Sequence, residues 1–207
     1  MQKELFIIRH GETDLNKQGI VQGRGVNPPL NALGKRQALL FYNFYKNEPF
    51  EIIYTSSLLR AQESVKQFIE KGIPWEAHEE LDEISWGIFE GKPATHNFKM
   101  EYRQLLEDWE SGKLDASAES GESPNEVSER QKKFIRYMLA KPEKKILICM
   151  HGRAMRIFLP TLLHQDLRLM EKYPHHNLTL YKLIFDGSRF AIELFNNMDH
   201  LHLNEKD

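Results

Sequence analysis

An α/β fold, with a mostly parallel central sheet and helices on both of its faces, is predicted by two features of this 207-residue sequence. Short apolar runs alternate along the chain with longer segments of helical spacing, which is typical of strand–helix–strand units. The runs at 5–8 and 146–150 are apolar without interruption, as in strands that are covered on both faces. We interpret residues 1–207 as one domain, long enough to bury a full hydrophobic core.

The elements of the first half of the chain follow from this alternation. After the strand at 5–8, Asn31 is placed to cap a helix whose apolar face would hold Leu33, Leu40, Phe41 and Phe44. Residues 52–54 are predicted to form a second short strand. Ser56 or Ser57 would then cap a helix that buries Leu58, Val65, Phe68 and Ile69.

The second half begins with helical spacing of apolar residues over 95–109. Ser123, Pro124 and Glu126 mark a strong helix start, with a capping hydroxyl, a proline at the first helical position and a reciprocal carboxylate. The buried stripe of that helix would hold Val127, Phe134, Ile135 and Met138. The elements predicted after it are a strand at 146–150, a helix through residue 163, and strands at 179–185 and 190–194 joined by a turn.

Composition and charge exclude several classes of function. With 28 Lys and Arg against 30 Asp and Glu, the net charge is −2, so no electrostatic footprint for nucleic acid or an anionic membrane is predicted. Cys149 is the one cysteine of the sequence, which excludes an internal disulfide and a cysteine-based zinc finger. The apolar run near the start is too short for a signal peptide or a membrane span. We expect a cytoplasmic monomer or homodimer that binds neither nucleic acid nor membrane.

Charged residues follow three of the predicted strands at the point where each strand ends. Arg9 and His10 follow the first, Arg60 lies in the first helical turn after the second, and His151 follows the later buried strand. Ligands of open α/β sheets bind beyond the carboxyl ends of the strands, so these side chains are expected to share one rim. Gly152 opens a helix there, and its N–H groups and dipole would point to the same place. The set describes a site for a compact dianion such as phosphate.

Each of these residues alone has an ordinary structural explanation. An arginine early in a helix is usually solvated, and a histidine after a strand is usually a turn residue with a satisfied hydrogen bond. Gathered at one edge without nearby acids, however, cationic groups repel one another, and a fold rarely tolerates that without a ligand. Phosphate binding is therefore the preferred interpretation. We expect no metal or other cofactor, because the cations already neutralise phosphate and no aspartate cluster offers a Mg²⁺ site.

The same residues lie in motifs that resemble the histidine phosphatase superfamily, in its phosphoglycerate mutase-like branch. The matching segments follow the family order over nearly the whole chain: 8–16 (Ile-Arg-His-Gly-Glu-Thr-Asp-Leu-Asn), 22–24 (Gln-Gly-Arg), 54–61 (Tyr-Thr-Ser-Ser-Leu-Leu-Arg-Ala), 81–83 (Leu-Asp-Glu), 86–91 (Trp-Gly-Ile-Phe-Glu-Gly), 121–123 (Gly-Glu-Ser) and 151–152 (His-Gly). The resemblance implies a phosphoglycerate mutase-like fold in which residues 92–122 are a small helical and loop insertion over the active site.

The resemblance also implies a role for each residue of the site. His10 would attack phosphorus in line and form a phosphohistidine, while Arg9, Arg60 and His151 would hold the equatorial oxygens. Glu83 would protonate the leaving oxygen and then activate the water that hydrolyses the intermediate. The substrate-binding residues would be Asn16, Gln22, Gly23 and Gly152.

Two acids, Asp82 and Glu90, lie close to the implied general acid in the sequence. The family pattern of Leu, any residue, then an acid selects Glu83. The remaining histidines show no spacing typical of metal ligands. In particular, the pair His175-His176 is interpreted as a surface corner.

Hydrolysis and transfer of the phosphoryl group back to a substrate both fit these residues. Mutases of the family usually have Glu-Arg-His-Tyr-Gly where this chain has Glu-Ile-Ser-Trp-Gly at 83–87, so the substrate arginine is absent. We therefore predict a phosphatase acting on a small-molecule phosphomonoester, with mutase-type transfer and a non-catalytic phosphoryl-binding regulatory module as alternatives. Residues 92–122 contain four basic and seven acidic residues, a net charge of −3, which favours an ester whose organic part is neutral.

Overall fold

The computed structural model describes residues 2–202, which form a six-stranded mixed sheet of order β3-β2-β4-β1-β5-β6. The strands are β1 (Lys3–Arg9), β2 (Ile52–Ser56), β3 (Trp75–His78), β4 (Lys145–Met150), β5 (Leu180–Phe185) and β6 (Phe190–Asn197). The first four strands in sequence are mutually parallel, and β5 and β6 add an antiparallel hairpin to β1. The predicted α/β fold with a mostly parallel sheet is confirmed.

Seven α-helices accompany the sheet in the described residues. They are α1 (Asp14–Gln18), α2 (Ala32–Tyr45), α3 (Leu59–Ser64), α4 (Lys66–Glu70), α5 (His96–Glu110), α6 (Pro124–Ala140) and α7 (Gly152–Leu162). Short 3₁₀ turns complete the connections, including Glu79–Leu81 and Leu167–Lys172. Within residues 2–202, no helix is both long and apolar enough to cross a membrane.

Both faces of the sheet are buried, which is why the central strands are apolar throughout. On β1 the side chain of Ile7 joins the core beneath α6 and α7, while the neighbouring Ile8 joins the core beneath α2 to α4. Full burial of one such side chain contributes roughly 1.5–3 kcal/mol. A third apolar cluster, which includes Trp86, Trp109 and Ile157, ties α5 of the 92–122 segment to α7. The sheet is thus a rigid base from which the strand ends project.

The predicted capping residues are confirmed at two helices and wrong at a third. Asn31 caps α2, and Ser123 forms a full capping box on α6. By contrast, α3 begins after Leu58 without a side-chain cap, and the single helix expected there is interrupted at Val65. Ser56 does not cap because α3 begins only at Leu59; the Ser56 hydroxyl accepts from the Leu58 amide and donates to the Asp82 carboxylate.

Helix α2 turns a different face to the core than the apolar spacing suggested. Leu33 and Phe44 are 47% and 44% exposed, and the buried face holds Gly34, Ala38, Phe41 and Tyr45. The reason is a close backbone contact at the start of the helix. A Cβ on Gly34 would lie 2.7 Å from the Glu12 amide nitrogen and nearer still to its carbonyl oxygen. The helix therefore approaches the segment after β1 through its one residue without a side chain.

This contact predicts that Gly34→Ala destabilises the protein, although alanine is the better helix former by about 1 kcal/mol. Displacement of backbone by the added methyl should lower the free energy of unfolding by roughly 1–3 kcal/mol, as in other overpacked sites. Urea denaturation measures the change. The control is Lys35→Ala at the next, exposed position of the same helix, which should be neutral. A stabilised Gly34→Ala variant would contradict the packing argument.

Candidate active site

The parallel pairing of β1 and β4 brings two predicted site residues together. Arg9 and Met150 are paired residues at the ends of these strands, so His10 and His151 leave the sheet side by side. The His10 amide donates to the Met150 carbonyl at 3.0 Å, and the two imidazole rings are 5.0 Å apart between centroids. The predicted convergence of strand ends on one rim is therefore present in the described residues.

The imidazole of His10 has one nitrogen engaged and one free. Nδ1 lies 2.7 Å from the Gly11 carbonyl oxygen. A carbonyl only accepts, so Nδ1 carries the hydrogen and Nε2 keeps its lone pair. The ring is 3% exposed. Burial, together with the charges of Arg60 and Arg9, holds the pKa of His10 well below its usual range, so the ring is neutral at ordinary pH.

Arg60 is fully buried in the first turn of α3 and is held by neutral groups. Its Nη1 donates to the Val26 carbonyl at 2.8 Å and its Nη2 to the Gly23 carbonyl at 3.1 Å. Burial lowers the pKa of Arg60 to about 10, against the opposing effect of Glu83. Because carbonyl oxygens orient the guanidinium without neutralising it, its charge stays available to an anion.

Arg9 is oriented in the same way by an imidazole. Its Nη1 lies 3.3 Å from His175 Nδ1, which accepts the hydrogen bond. Burial and the charges of Arg9 and Arg156 lower the pKa of His175 to about 2, so the ring remains neutral. The ring also lies against Gly152, where a Cβ would be 2.5 Å from His175 Cε1. The absence of a side chain at Gly152 is thus what admits this ring to the site.

The interpretation of the His175-His176 pair as a surface corner is therefore wrong for His175. Sequence spacing offered no signal, since His175 is 166 residues from its partner Arg9. The same loop contributes Asn177, whose Nδ2 donates to the His10 carbonyl at 2.9 Å. Within residues 2–202, no group of three or more His, Cys, Asp or Glu side chains is arranged to hold a metal ion.

Two predicted amide side chains are oriented by Thr13, which caps α1. The Thr13 amide donates to Asn16 Oδ1 at 3.1 Å, and the Thr13 hydroxyl donates to Gln22 Oε1 at 2.9 Å. Both amide oxygens are therefore turned toward Thr13, and their NH₂ groups are turned away. Gly23 follows Gln22, and the Gly23 carbonyl accepts a hydrogen bond from Arg60. Gln22 and Gly23 therefore lie next to the buried guanidinium.

Four buried polar atoms of the predicted site have no hydrogen-bond partner among the described residues. They are Arg9 Nε, Gln22 Nε2, Arg60 Nε and His151 Nδ1. An unpaired buried donor costs roughly 1–3 kcal/mol, more when it is charged. Three of these atoms, Arg9 Nε, Gln22 Nε2 and Arg60 Nε, are N–H donors, and together they are suited to the oxygens of a tetrahedral dianion.

The three candidate acids have different partners, and only Glu83 bonds to the helix that follows His151. Its carboxylate accepts from the amides of Ile84, Arg153 and Ala154 at 2.9, 3.1 and 2.7 Å, so it sits on the N-terminus of α7. Asp82 accepts from Ser56 and Ser57. Glu90 accepts from the amides of Gly25 and Trp86, which ties two loops together. These contacts favour Glu83 as the acid of the site.

With the site described, the chain can be assigned to a class of proteins. A profile of the histidine phosphatase superfamily (branch 1) matches residues 5–198, and the chain belongs to this superfamily. A probable phosphoglycerate mutase GpmB from Yersinia enterocolitica is 30% identical over 214 residues, covering 99% of this chain and 97% of that protein. Fructose-2,6-bisphosphatase TIGAR from Mus musculus is 38% identical over 96 residues, which are 44% of this chain and 36% of the mouse protein.

Solved structures agree with this assignment. Phosphoserine phosphatase from Entamoeba histolytica, in complex with 3-phosphoglyceric acid, superposes with a TM-score of 0.81 at 24% identity, over 96% of this chain and 99% of that one, which is a likeness of fold. The alpha-ribazole phosphatase of Shigella flexneri gives a TM-score of 0.82 at 23% identity, over 94% and 96% of the two chains, which is a likeness of fold. The chain therefore has the fold of this superfamily and relatives that are phosphatases.

The buried, neutral His175 predicts a specific sensitivity to acid. Its folded pKa of about 2 lies below the unfolded value near 6.5, so the unfolded chain binds the extra proton and stability falls as pH drops below about 6.5. His175→Gln keeps an acceptor for Arg9 but cannot titrate. Between pH 6.5 and 5.5 it should lose about 1 kcal/mol less unfolding free energy than the wild type, as measured by urea denaturation. The exposed control His96→Gln should keep the wild-type slope, and equal slopes for both variants would disprove the argument.

Proposed function

We propose that this protein is a phosphatase that hydrolyses a small-molecule phosphomonoester through a phosphohistidine at His10. The observation that carries the proposal is the state of the His10 ring. Its Nδ1–H is fixed on the Gly11 carbonyl, and its Nε2 lone pair is free beside two buried guanidinium groups with unpaired Nε donors. A neutral imidazole next to an anion-binding set is what nucleophilic attack on phosphorus requires.

In the first step, Nε2 of His10 attacks phosphorus in line as the ester oxygen leaves. Arg9 and Arg60 would bind the equatorial oxygens, where negative charge is spread in the transition state. The amide groups of Asn16 and Gln22 would add neutral donors to the same oxygens. Because the guanidinium groups are held by carbonyls and a neutral imidazole, they need no reorganisation when the charge develops.

Glu83 would donate the proton that the leaving oxygen needs and then accept one from the attacking water. Its position on the first N–H groups of α7 supports this role, since the same helix begins directly after His151. The carboxylate is 7% exposed, so bulk water would not readily replace it as the proton donor. The two half-reactions return His10 and Glu83 to their starting states.

The substrate is proposed to be a small molecule because the reacting groups are deeply recessed. His10, Arg60 and His151 are at most 3% exposed, which suits a phosphoryl group on a compact alcohol. The negative charge of residues 92–122 favours an organic part without further anionic groups. A panel of sugar and nucleoside monophosphates, with phosphate release as the readout, tests this preference.

Mutase-type transfer is a second candidate, favoured by the 30% identity to the probable phosphoglycerate mutase of Yersinia enterocolitica. At the position after Glu83, however, this chain has the fully buried Ile84 in place of an arginine that could hold a substrate carboxylate. Hydrolysis needs only that water enters. Incubation with 3-phosphoglycerate separates the reactions, because a mutase yields the 2-isomer and a phosphatase yields inorganic phosphate.

We expect His10→Ala to abolish the covalent intermediate and to lower turnover on the order of 10³-fold or more, because no other nucleophile replaces the ring. Rapid quenching during p-nitrophenyl phosphate turnover, followed by intact-protein mass spectrometry, should show an acid-labile, base-stable phosphoryl adduct on the wild type. The exposed control His164→Ala should form the adduct normally. Substantial turnover by His10→Ala would make the assignment of the nucleophile wrong.

Glu83→Gln should affect poor leaving groups most, because an alkoxide must be protonated as it leaves whereas p-nitrophenolate is stable. We expect a loss of about 10²–10⁴-fold on an alkyl phosphate and a clearly smaller loss on p-nitrophenyl phosphate.

Asp82→Asn is the matched control for Glu83→Gln, since Asp82 bonds to serines rather than to α7. Any loss it causes should be equal for both substrates. Equal losses in Glu83→Gln, or a selective loss in Asp82→Asn, would refute the assignment of the acid.

A further inference from the structure

His151 is linked to a buried carboxylate through a serine. Its Nε2 lies 2.7 Å from Ser56 Oγ, and Ser56 Oγ lies 2.7 Å from Asp82 Oδ1. His151 and Ser56 are fully buried and Asp82 is 3% exposed. The chain His151–Ser56–Asp82 therefore runs from the candidate active site to a carboxylate that directly follows the 3₁₀ turn Glu79–Leu81.

Counting hydrogens fixes the direction of every bond in this chain. Ser56 Oγ has one hydrogen and two lone pairs, and one lone pair accepts from the Leu58 amide at 3.0 Å. The Asp82 carboxylate can only accept, so the serine hydrogen points to Asp82. The remaining lone pair of Ser56 then accepts from His151, whose hydrogen must be on Nε2. The reverse arrangement would leave two acceptor oxygens 2.7 Å apart with no hydrogen between them.

The neutral ring of His151 consequently has a bare lone pair on Nδ1, on the edge opposite Ser56. Nδ1 is buried and has no partner among the described residues. The ring lies beside that of His10, with 5.0 Å between centroids. A lone pair facing a phosphoryl oxygen is repulsive, whereas an Nδ1–H would donate to it.

We propose that Asp82, acting through Ser56, holds His151 as its Nε2–H tautomer, so that binding of a phosphoryl group draws one proton from solvent onto His151 Nδ1. The inference rests on the proposed function, because it takes the phosphoryl group to bind beside His10. The proton leaves a buffer acid, which becomes its conjugate base, and forms an N–H bond at the Nδ1 lone pair; no other covalent bond changes. Asp82 and Ser56 are positioning residues that act through His151.

The surroundings of His151 explain why the proton arrives with the ligand. Burial and neighbouring cations hold the pKa of His151 well below its usual range in the free protein, the cations being Arg60, Arg9 and Arg130 with the ring of His10 nearby. The opposing charges are Asp82, reached through Ser56, and Glu83 on α7. A bound dianion adds two negative charges at Nδ1 itself and reverses this balance.

Isothermal titration calorimetry with sulfate, at pH 7.5 in buffers of different ionisation enthalpy, tests the proposal. Sulfate stays a dianion at this pH, so any proton taken up belongs to the protein. We expect uptake of about one proton per bound sulfate in the wild type. In Ser56→Ala the neutral ring is free to carry its hydrogen on Nδ1, so uptake should fall close to zero while sulfate still binds.

Ser57→Ala is the matched control. Ser57 also donates its hydroxyl to Asp82, at 2.9 Å, but does not bond to His151. It should keep the uptake of about one proton. Uptake that persists in Ser56→Ala, or sulfate binding by the wild type without uptake, would overturn the proposal.

Nitrogen-15 NMR of the histidine rings gives a second readout that needs no variant. The free wild type should show His151 protonated on Nε2 alone, and sulfate should protonate both nitrogens. A hydrogen on Nδ1 before sulfate is added would disprove the tautomer. Coupled uptake in a protein that turns over no phosphoester would refute the proposed function and leave this inference standing, while failure of the wild type to bind sulfate would count against both.

Discussion

Two buried guanidinium groups that are held by neutral acceptors are the constraint on which the rest of this structure depends. Removing a cation from water costs several kcal/mol, which a fold usually offsets with a carboxylate. Here Arg60 is held by two carbonyls and Arg9 by the neutral ring of His175. The positive charge is therefore retained, and burial together with this charge keeps His10 neutral. Burial of the apolar sheet on both faces stabilises the fold and offsets the free-energy cost of burying these charges.

The three acids of the site, Asp82, Glu83 and Glu90, each bond to other groups and so leave the charges of Arg9 and Arg60 unneutralised. Glu90 joins the loop at Gly25 to Trp86, and Asp82 is enclosed by serine hydroxyls. Glu83 bonds to the amides that open α7, where the helix dipole balances a negative charge. A carboxylate bonded directly to Arg9 or Arg60 would compete with a phosphoryl group for the same donors. Because these acids bond to other groups, the charges of Arg9 and Arg60 remain available to a ligand.

Membership of the histidine phosphatase superfamily fixes the fold and the class of chemistry more firmly than the substrate. The relatives include a probable phosphoglycerate mutase and a fructose-2,6-bisphosphatase, so one scaffold serves different phosphoesters. In this chain the groups proposed to bind the phosphoryl group lie near strand ends, whereas the segment proposed to meet the organic part is α5 and the loop after it. Tyr102 of α5 bonds to Arg153 on α7, which couples that segment to the helix whose first amides bind Glu83. Substrate choice can change there without moving the sheet.

The sequence by itself determined five of the six strands, the capping of α2 and α6, and the convergence of Arg9, His10, Arg60 and His151, because apolar runs, capping residues and strand ends are local patterns. The edge strand β3 has no apolar run and was not predicted. Only the tertiary structure decided the partners of these groups. His175 reaches Arg9 across 166 residues of sequence, and the Ser56 hydroxyl lies between His151 and Asp82. Such contacts cannot be predicted from a local sequence pattern, because a hydrogen bond between distant segments depends on how the segments pack. The charge and tautomer of His10, His151 and His175 follow from those contacts, and so they belong to the folded protein alone.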